Sequence, residues 1–121
     1  MDYVQIGEAF VKHYYSTFDQ NRQNIAPLYT DNSLLTWEKD KIQGRVEILK
    51  KLTELPFTTV RHDINVCDCQ PSMSGGINIL CTGSVVIDNE HPHPFCEYFH
   101  LTNENGGFYV TNHIFRFNYG A

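Results

Sequence analysis

Residues 77–102 have the sequence INILCTGSVVIDNEHPHPFCEYFHLT, and this stretch decides the fold. Ile77 to Ile87 and Phe95 to Thr102 are rich in β-branched and aromatic residues, which predicts two strands. The intervening segment, Asp88 to Pro94, contains Asp, Asn and Pro, a composition typical of turns. We therefore expect this stretch to form a β-hairpin.

Two further strand-like segments extend the hairpin on either side. Thr58 to Gln70 precedes it, and Phe108 to Tyr119 follows it. Turn signals separate them from the hairpin, because Gly75-Gly76 lies in one gap and Asn105-Gly106-Gly107 in the other. Strands joined by consecutive hairpins pair antiparallel. The second half of the chain therefore predicts an antiparallel sheet.

The first half is expected to carry two longer helices. Between Asp2 and about Gln20, apolar side chains recur every four residues, which predicts an amphipathic helix. These side chains are Ile6, Phe10, Tyr14 and Phe18. A second helix is predicted from Arg45 to Leu55, and Pro56 ends it. Its apolar side chains are Val46, Leu49, Leu52 and Leu55.

Shorter elements lie between these helices. A short helix is predicted from about Asn24 to Tyr29, with Pro27 in its first turn. Ser33 to Glu38 is expected to form a strand that turns back toward Ile42-Gln43. Helices followed by a long meander predict the α+β class, with the helices packed on one sheet face. The 121 residues fit one domain, residues 1–121.

Composition disfavours several classes of function. Fourteen acidic and nine scattered basic residues give a net charge of −5, whereas nucleic-acid binders usually carry a basic patch. An acidic surface suits a basic protein partner instead. The N-terminus lacks the pattern of a signal peptide, and no apolar run approaches the ~20 residues that a membrane span requires. We expect a protein of the cytosol or nucleus, with free thiols and without a cofactor.

The sheet face away from the helices is expected to be partly apolar. An antiparallel sheet normally presents polar side chains to water on that face. The side chains predicted to lie there are Tyr98, His100, Val110 and Ile114. They predict a protein interface, most simply with a second copy of this chain. The alternative is that they are scattered exposed residues without a partner.

A set of residues along nearly the whole chain resembles a known family. The set comprises Gln5-Ile6-Gly7, Phe10, His13-Tyr14-Tyr15, Phe18-Asp19, Leu35-Thr36-Trp37-Glu38, Gln43-Gly44, Lys51-Leu52, Leu55-Pro56-Phe57, His62, Asp68, Gln70-Pro71, Thr111-Asn112 and Phe115-Arg116. With these residues in this order, the sequence is similar to the nuclear transport factor 2 family. The resemblance implies a cone-shaped fold in which a bent antiparallel sheet, wrapped by about three helices, encloses a hydrophobic cavity. It also implies a homodimer joined through the sheets.

The resemblance further implies an adaptor with two kinds of partner and no catalytic residues. One partner is Ran in its GDP form, which inserts an aromatic side chain into the cavity mouth and pairs its basic residues with an acidic rim. The rim carboxylates are Glu38, Asp88 and Glu90, and the cavity lining is Trp37, Leu55, Phe57, Val60, Val85, Ile87, Phe95 and Phe115. The other partner is the Phe-x-Phe-Gly repeats of nucleoporins, for which Tyr3 matches the family's aromatic residue.

Each of these assignments has a simpler alternative. The turn with Asp88 and Glu90 could be an ordinary solvated turn, the cavity residues an ordinary packed core, and Tyr3 a contact at the helix start. His91 and His93 could ligate zinc together with Cys96, although two imidazoles in a stiff turn are the commoner meaning.

Two other classes of function remain open on the same fold. The fold also hosts ketosteroid isomerase and scytalone dehydratase, so an enzyme or a small-molecule-binding protein is one alternative. Its candidate residues here are Tyr14, His62 and Asp68. The other alternative is a scaffold domain, of the type that begins messenger-RNA export factors.

Overall fold

The computed structural model describes residues 2–119, so Met1, Gly120 and Ala121 of the expected domain lie outside the described residues. Within these residues, two α-helices, a longer 3-10 helix and six strands make up the fold, and a short 3-10 turn (Met73–Gly75) joins the third strand to the fourth. In chain order they are α1 (Tyr3–Gln20), the 3-10 helix (Arg22–Leu28), β1 (Tyr29–Trp37), β2 (Asp40–Gln43), α2 (Arg45–Thr53), β3 (Val60–Pro71), β4 (Ile77–Ile87), β5 (Pro92–Glu104) and β6 (Gly107–Phe117). This confirms the predicted α+β class.

The six strands form one bent sheet in the order β2-β1-β6-β5-β4-β3. The predicted meander is confirmed, because β3 to β6 pair antiparallel with their chain neighbours. The expectation of a wholly antiparallel sheet is wrong, because β1 pairs parallel with β6. Hairpin signals report only pairs that are adjacent in the chain, whereas β1 and β6 are separated by most of it. The parallel pair therefore left no local signal.

Helix α1 packs its predicted apolar stripe against the sheet. Tyr14 and Phe18 are fully buried, and Phe10 is half-buried. The Tyr14 ring meets Phe99 of β5 edge-on, with 4.8 Å between ring centroids. Asp2 caps the helix start, where its carboxylate accepts a hydrogen bond from the Val4 amide at 2.9 Å. The amphipathic pattern was therefore sufficient to place this helix.

The two other helices differ from their predicted patterns. On α2, Ile48 and Leu52 are fully buried while Val46 is 72% exposed, so the predicted stripe was rotated on the helix surface. Leu55 lies beyond the last helical residue. The 3-10 helix starts at Arg22 rather than Asn24, because Asn21 caps it, and Pro27 lies near its end rather than in its first turn.

Val110 does not lie on the open face of the sheet, as predicted, but is fully buried in the core. His100 pairs with Asn112, whereas the next residue, Leu101, pairs with Val110. One extra residue of β6 therefore bulges between the two pairs. Because a bulge reverses the alternation of side chains along a strand, Val110 and Ile114 lie on opposite faces despite their even spacing.

Candidate partner-binding site

A stack of aromatic rings forms where β1 and β6 end side by side. The parallel register places Trp37 opposite Phe115, and their rings stack at 4.1 Å with planes 10° apart. Phe115 in turn stacks on Phe95 at 5.7 Å, and Phe18 of α1 lies nearly parallel to Trp37 at 6.4 Å. Trp37 is only half-buried, whereas its three neighbours are fully buried. The stack therefore presents one indole at the surface on a rigid base.

The carboxylate of Glu38 is fixed beside this indole. Glu38 has a φ of 54°, in the left-handed region that side-chain-bearing residues adopt rarely. Two hydrogen bonds hold it there, because its amide donates to the Phe115 carbonyl at 2.9 Å and its Oε2 accepts from the Phe117 amide at 3.1 Å. Among the described residues, Oε1 has no such donor. The half-buried Glu38 carboxylate is thus held in place next to Trp37 in the chain, and one of its oxygens can still accept a hydrogen bond.

Asp88 supports the rim as well as adding charge to it. Its Oδ1 accepts hydrogen bonds from the Thr58 and Thr59 amides at 2.8 and 2.9 Å. These bonds lower the pKa of Asp88 below its ordinary value, because they stabilise the ionised carboxylate. The turn that carries Asp88 also carries Glu90, whose side chain is exposed. Asp88 therefore anchors the segment that precedes β3 through Oδ1, and neither of these two hydrogen bonds uses Oδ2.

Arg22, which the sequence did not single out, anchors the same segment from the other side. Its Nη2 donates to the Phe57 carbonyl at 3.0 Å, and its guanidinium lies 4.3 Å from the centroid of the Phe57 ring. Partial burial lowers the pKa of Arg22, while the nearby Asp88 carboxylate acts in the opposite direction. Nothing local in the sequence couples Arg22 to Phe57, because 35 residues separate them.

The predicted cavity lining gathers at one end of the sheet in two layers. Val85, Phe95 and Phe115 are fully buried and belong to the hydrophobic core. Leu55, Phe57, Val60 and Ile87 are half-buried and lie closer to solvent. Val60 pairs directly with Ile87, at the start of β3 and the end of β4. The three inner residues therefore form part of an ordinary packed core, which is the simpler alternative stated in the sequence analysis.

Tyr3 lies at the opposite end of the sheet from the rim. The residue is 39% exposed, and it lines a pocket of about 160 Å³. The other lining residues are Ile6, Pro71, Gly75, Gly76, Ile77, Asn103 and Phe108. Ile77 begins β4 and Ile87 ends it, so the 11 residues of one strand, about 33 Å, separate the pocket from the rim. The pocket has the size and apolar character to receive a single aromatic side chain.

A buried chain of polar side chains crosses the core, and the sequence reading missed it. Glu97 accepts hydrogen bonds from the Tyr15 hydroxyl at 2.7 Å and from Nε2 of His113 at 2.5 Å. The His113 Nδ1 is 2.9 Å from the Tyr29 hydroxyl, which is 3.1 Å from that of Tyr14. Burial raises the pKa of all three tyrosines. The alternation of side chains along β5 could have predicted that Glu97 is buried, because Glu97 lies between Phe95 and Phe99 on the buried face.

The structure also separates the residues considered for catalysis. His62 pairs with Asp19 rather than Asp68, because Nδ1 of His62 lies 2.6 Å from Oδ1 of Asp19. Asp68 is exposed on β3, beyond the register shift after Ile64. Tyr14 is enclosed in the buried chain described above.

The histidine turn forms contacts other than a zinc site. Nδ1 of His93 is 2.8 Å from the Tyr119 hydroxyl, and the His91 and His93 rings are 4.6 Å apart. Within residues 2–119, no three His, Cys, Asp or Glu side chains are grouped to hold a metal ion. In the same part of the chain, no helix is both long and apolar enough to cross a membrane. All four cysteines, which include Cys96, are free thiols.

Comparison with known proteins identifies close relatives over the full chain. The model of the nuclear transport factor 2 (NTF2) domain matches residues 6–117. The chain is 46% identical to Nuclear transport factor 2 of Oryza sativa subsp. japonica, over 99% of this chain and 100% of that protein. It is 47% identical to Nuclear transport factor 2B of Arabidopsis thaliana, over 98% of this chain and 97% of that protein.

Among solved structures, nuclear transport factor 2 from Cryptosporidium parvum superimposes with a TM-score of 0.92. The two sequences are 43% identical, and the match covers 96% of this chain and 94% of that chain. The cone-shaped fold implied by the sequence resemblance is therefore confirmed.

Proposed function

The chain belongs to the nuclear transport factor 2 family, and we propose that it is a homodimeric carrier that takes Ran-GDP into the nucleus. In this proposal Ran-GDP binds at the acidic rim, and Phe-x-Phe-Gly repeats of nucleoporins bind at the Tyr3 pocket. The protein accordingly moves between cytoplasm and nucleus through the nuclear pore.

The observation that carries the proposal is the pairing of Trp37 with Glu38. The half-buried indole, held in a rigid aromatic stack, offers its uncovered edge to an incoming aromatic ring. The fixed Glu38 carboxylate beside it, together with the acidic turn of Asp88 and Glu90, favours a partner whose aromatic ring is flanked by Lys or Arg. That is the combination of groups that the family resemblance assigns to Ran.

The Tyr3 pocket supports the second binding function. Repeats with Phe at alternate positions present single aromatic rings on an extended chain, and each ring needs one small apolar pocket. Tyr3, Ile6 and Phe108 supply aromatic and aliphatic walls for such a ring. Because the pocket lies at the far end of β4 from the rim, a repeat bound there leaves the rim free for Ran.

An apolar strip on the open sheet face supports the homodimer. Leu80, Tyr98 and Ile114 are paired neighbours on β4, β5 and β6, so their side chains form a continuous row. Leu80 is 45% exposed and Ile114 is 43% exposed in the single chain. The half-buried His100 extends this row. Burying the row against the same surface of a second, two-fold related chain removes its apolar side chains from water.

The buried polar chain supports a binding protein rather than an enzyme. Tyr15, Glu97 and His113 are core groups of the kind that act as acid and base in enzymes, yet each is bonded to another member of the chain. All three are at most 5% exposed. Groups that are enclosed and mutually satisfied hold the core in one arrangement, whereas catalysis needs them to face a substrate.

Calorimetric titration with purified Ran tests the proposal. We expect the parent chain to bind Ran loaded with GDP and not Ran loaded with a GTP analogue. Glu38→Lys should lose most of this binding, because it places a cation where the partner presents one. Glu104→Lys, the same charge reversal at the exposed far end of β5, is the matched control and should bind as the parent does. Equal binding of the two nucleotide forms, or an unaffected Glu38→Lys variant, would contradict the proposal.

A further inference from the structure

Arg22 has a hydrogen-bond donor that the described residues leave unused. Its Nη2 is engaged by the Phe57 carbonyl. Its Nη1 is shielded from solvent and has no acceptor among the described residues. A charged donor in that state is unfavourable until an acceptor reaches it, and ionised oxygen acceptors satisfy it best. Because no water-sized atom touches Nη1 in the free chain, an anion reaches this donor only when the guanidinium turns toward the anion.

A polar pocket of about 200 Å³ lies beside this guanidinium. Its lining is Phe18, Asp19, Gln20, Asn21, Arg22, Gln23, Thr53, Thr58 and Val60. The amides and hydroxyls among these side chains can donate to an oxygen ligand. Asp19 is the one acidic side chain of the lining, and both of its oxygens already accept hydrogen bonds from His62, at 2.6 and 2.9 Å. The unpaired Arg22 donor is therefore the group beside this pocket that still needs an acceptor, and an oxygen ligand can supply one.

The pocket adjoins the rim through shared residues. Thr58 lines the pocket, and its amide donates to Asp88 of the rim. Val60 lines the pocket and also belongs to the predicted cavity lining. A partner that covers the rim would therefore also approach Arg22. A purely basic partner surface would be repelled by this guanidinium, whereas an acidic side chain at that point would be attracted.

We propose that Arg22 and its pocket form a subsite for a carboxylate of the protein that docks at the rim. The partner is then selected by mixed charge, with an acidic side chain beside its basic ones. This inference rests on the proposed function for the identity of that protein, namely Ran-GDP. The carboxylate chemistry of the pocket rests on this chain's own residues.

The first experiment tests the chemistry with a small carboxylate. Sodium acetate is titrated against sodium chloride at equal ionic strength, and NMR follows the Arg22 Nε–H and the Thr58 amide. We expect saturable acetate-specific shifts in the parent chain and in Arg61→Gln, and none in Arg22→Gln. Arg61 is a matched control, because it is an exposed arginine one residue beyond Val60. Shifts that do not saturate, or that persist in Arg22→Gln, would overturn the subsite.

The second experiment tests the source of the carboxylate. Calorimetry with Ran-GDP should show affinity lower by about tenfold or more in Arg22→Gln, from the loss of a charged hydrogen bond. Arg22→Lys should recover part of it and Arg61→Gln should lose none. An unchanged proton–nitrogen NMR spectrum outside the pocket shows that the Phe57 segment is still folded in these variants. If Arg22→Gln binds like Arg61→Gln, the proposal is overturned.

The two experiments separate the inference from the proposed function. A parent chain that binds acetate but not Ran-GDP would refute the proposed carrier function and the assignment of the partner, while supporting the carboxylate subsite. A parent chain that binds Ran-GDP with no contribution from Arg22 would leave the carrier function in place and refute the subsite.

Discussion

Replacing Glu97 by Leu should destabilise the fold through the two donors that lose their acceptor. The Tyr15 hydroxyl and the His113 Nε2–H both donate to the Glu97 carboxylate, and both residues are buried. Each buried donor left unpaired costs about 1–3 kcal/mol, so the expected loss is about 2–6 kcal/mol. A domain of this size has a free energy of unfolding of about 5–15 kcal/mol. The variant should therefore lose a large fraction of its stability.

Urea denaturation measures this loss, with Trp37, the single tryptophan, as the fluorescent reporter. With a slope of about 1–3 kcal/mol per molar urea, the midpoint should fall by about 1 M or more. Glu97→Gln should fall less, because its amide still accepts from one of the two donors. Glu104→Gln is the exposed control and should not shift. All variants are compared at one protein concentration, since self-association adds to apparent stability.

Tyr15→Phe should have opposite effects on stability in the parent chain and in the Glu97→Leu variant. In the parent chain, Tyr15→Phe removes a hydrogen bond to Glu97 and should lower the midpoint. In the Glu97→Leu background the same change removes an orphaned hydroxyl and should raise the midpoint, because the free energy of unfolding increases by about 1 kcal/mol or more. If Glu97→Leu is as stable as the parent, or if Tyr15→Phe destabilises both backgrounds equally, the hydrogen bonds to Glu97 do not stabilise the core.

Three shorter predictions concern the two binding sites and the open sheet face. Tyr3→Ala should weaken binding of a Phe-x-Phe-Gly peptide and leave Ran-GDP binding unchanged. The lost ring–ring contact contributes about 0.5–1.5 kcal/mol in addition to the loss of buried apolar area. Equal losses in both titrations would mean that Tyr3 supports the fold rather than a binding site. Ile114→Glu should give monomers by light scattering, because it places like charges at the proposed seam, and a parent chain of 14.0 kDa in solution would refute the dimer. Because hydrogen bonds depress the pKa of Asp88, its stabilising effect is present above the unfolded value of about 3.9 and is lost as pH falls through the folded value. Asp88→Asn should therefore flatten the acid limb of the stability profile, and an unchanged limb would exclude Asp88 as a contributor.

Local patterns predicted most of the secondary structure. The period-four stripe of Phe10, Tyr14 and Phe18 was enough for α1, because one buried face leaves a repeat in the sequence. Strand β4 was predicted with its observed bounds, since turn residues flank it on both sides. The stripe of α2 was misplaced because the nine-residue helix has apolar side chains on two sides, and sequence alone did not distinguish Val46 from Ile48.

Features that depend on distant contacts could not be predicted from local pattern. The face of Val110 depends on a bulge that forms only when β5 and β6 pair. The role of Arg22 depends on Phe57, and that of Asp88 on two backbone amides 29 and 30 residues away. At the candidate site, the resemblance supplied Trp37 and Glu38, whereas the bonds that fix Glu38 are visible only in three dimensions.

The parallel pairing of β1 with β6 has a consequence for the order in which the protein matures. Trp37 acquires its stacking partner only when Phe115 is in place, 78 positions later in the chain by the numbering of the pair. Contacts of such long range close late in folding, because the intervening loop must first be ordered. A nascent chain on the ribosome can thus complete α1 and the hairpin of β3 and β4 while its indole is still uncovered. The proposed binding rim needs this pairing, so we expect a chain interrupted before β6 to lack the Trp37–Phe115 stack on which the rim is built.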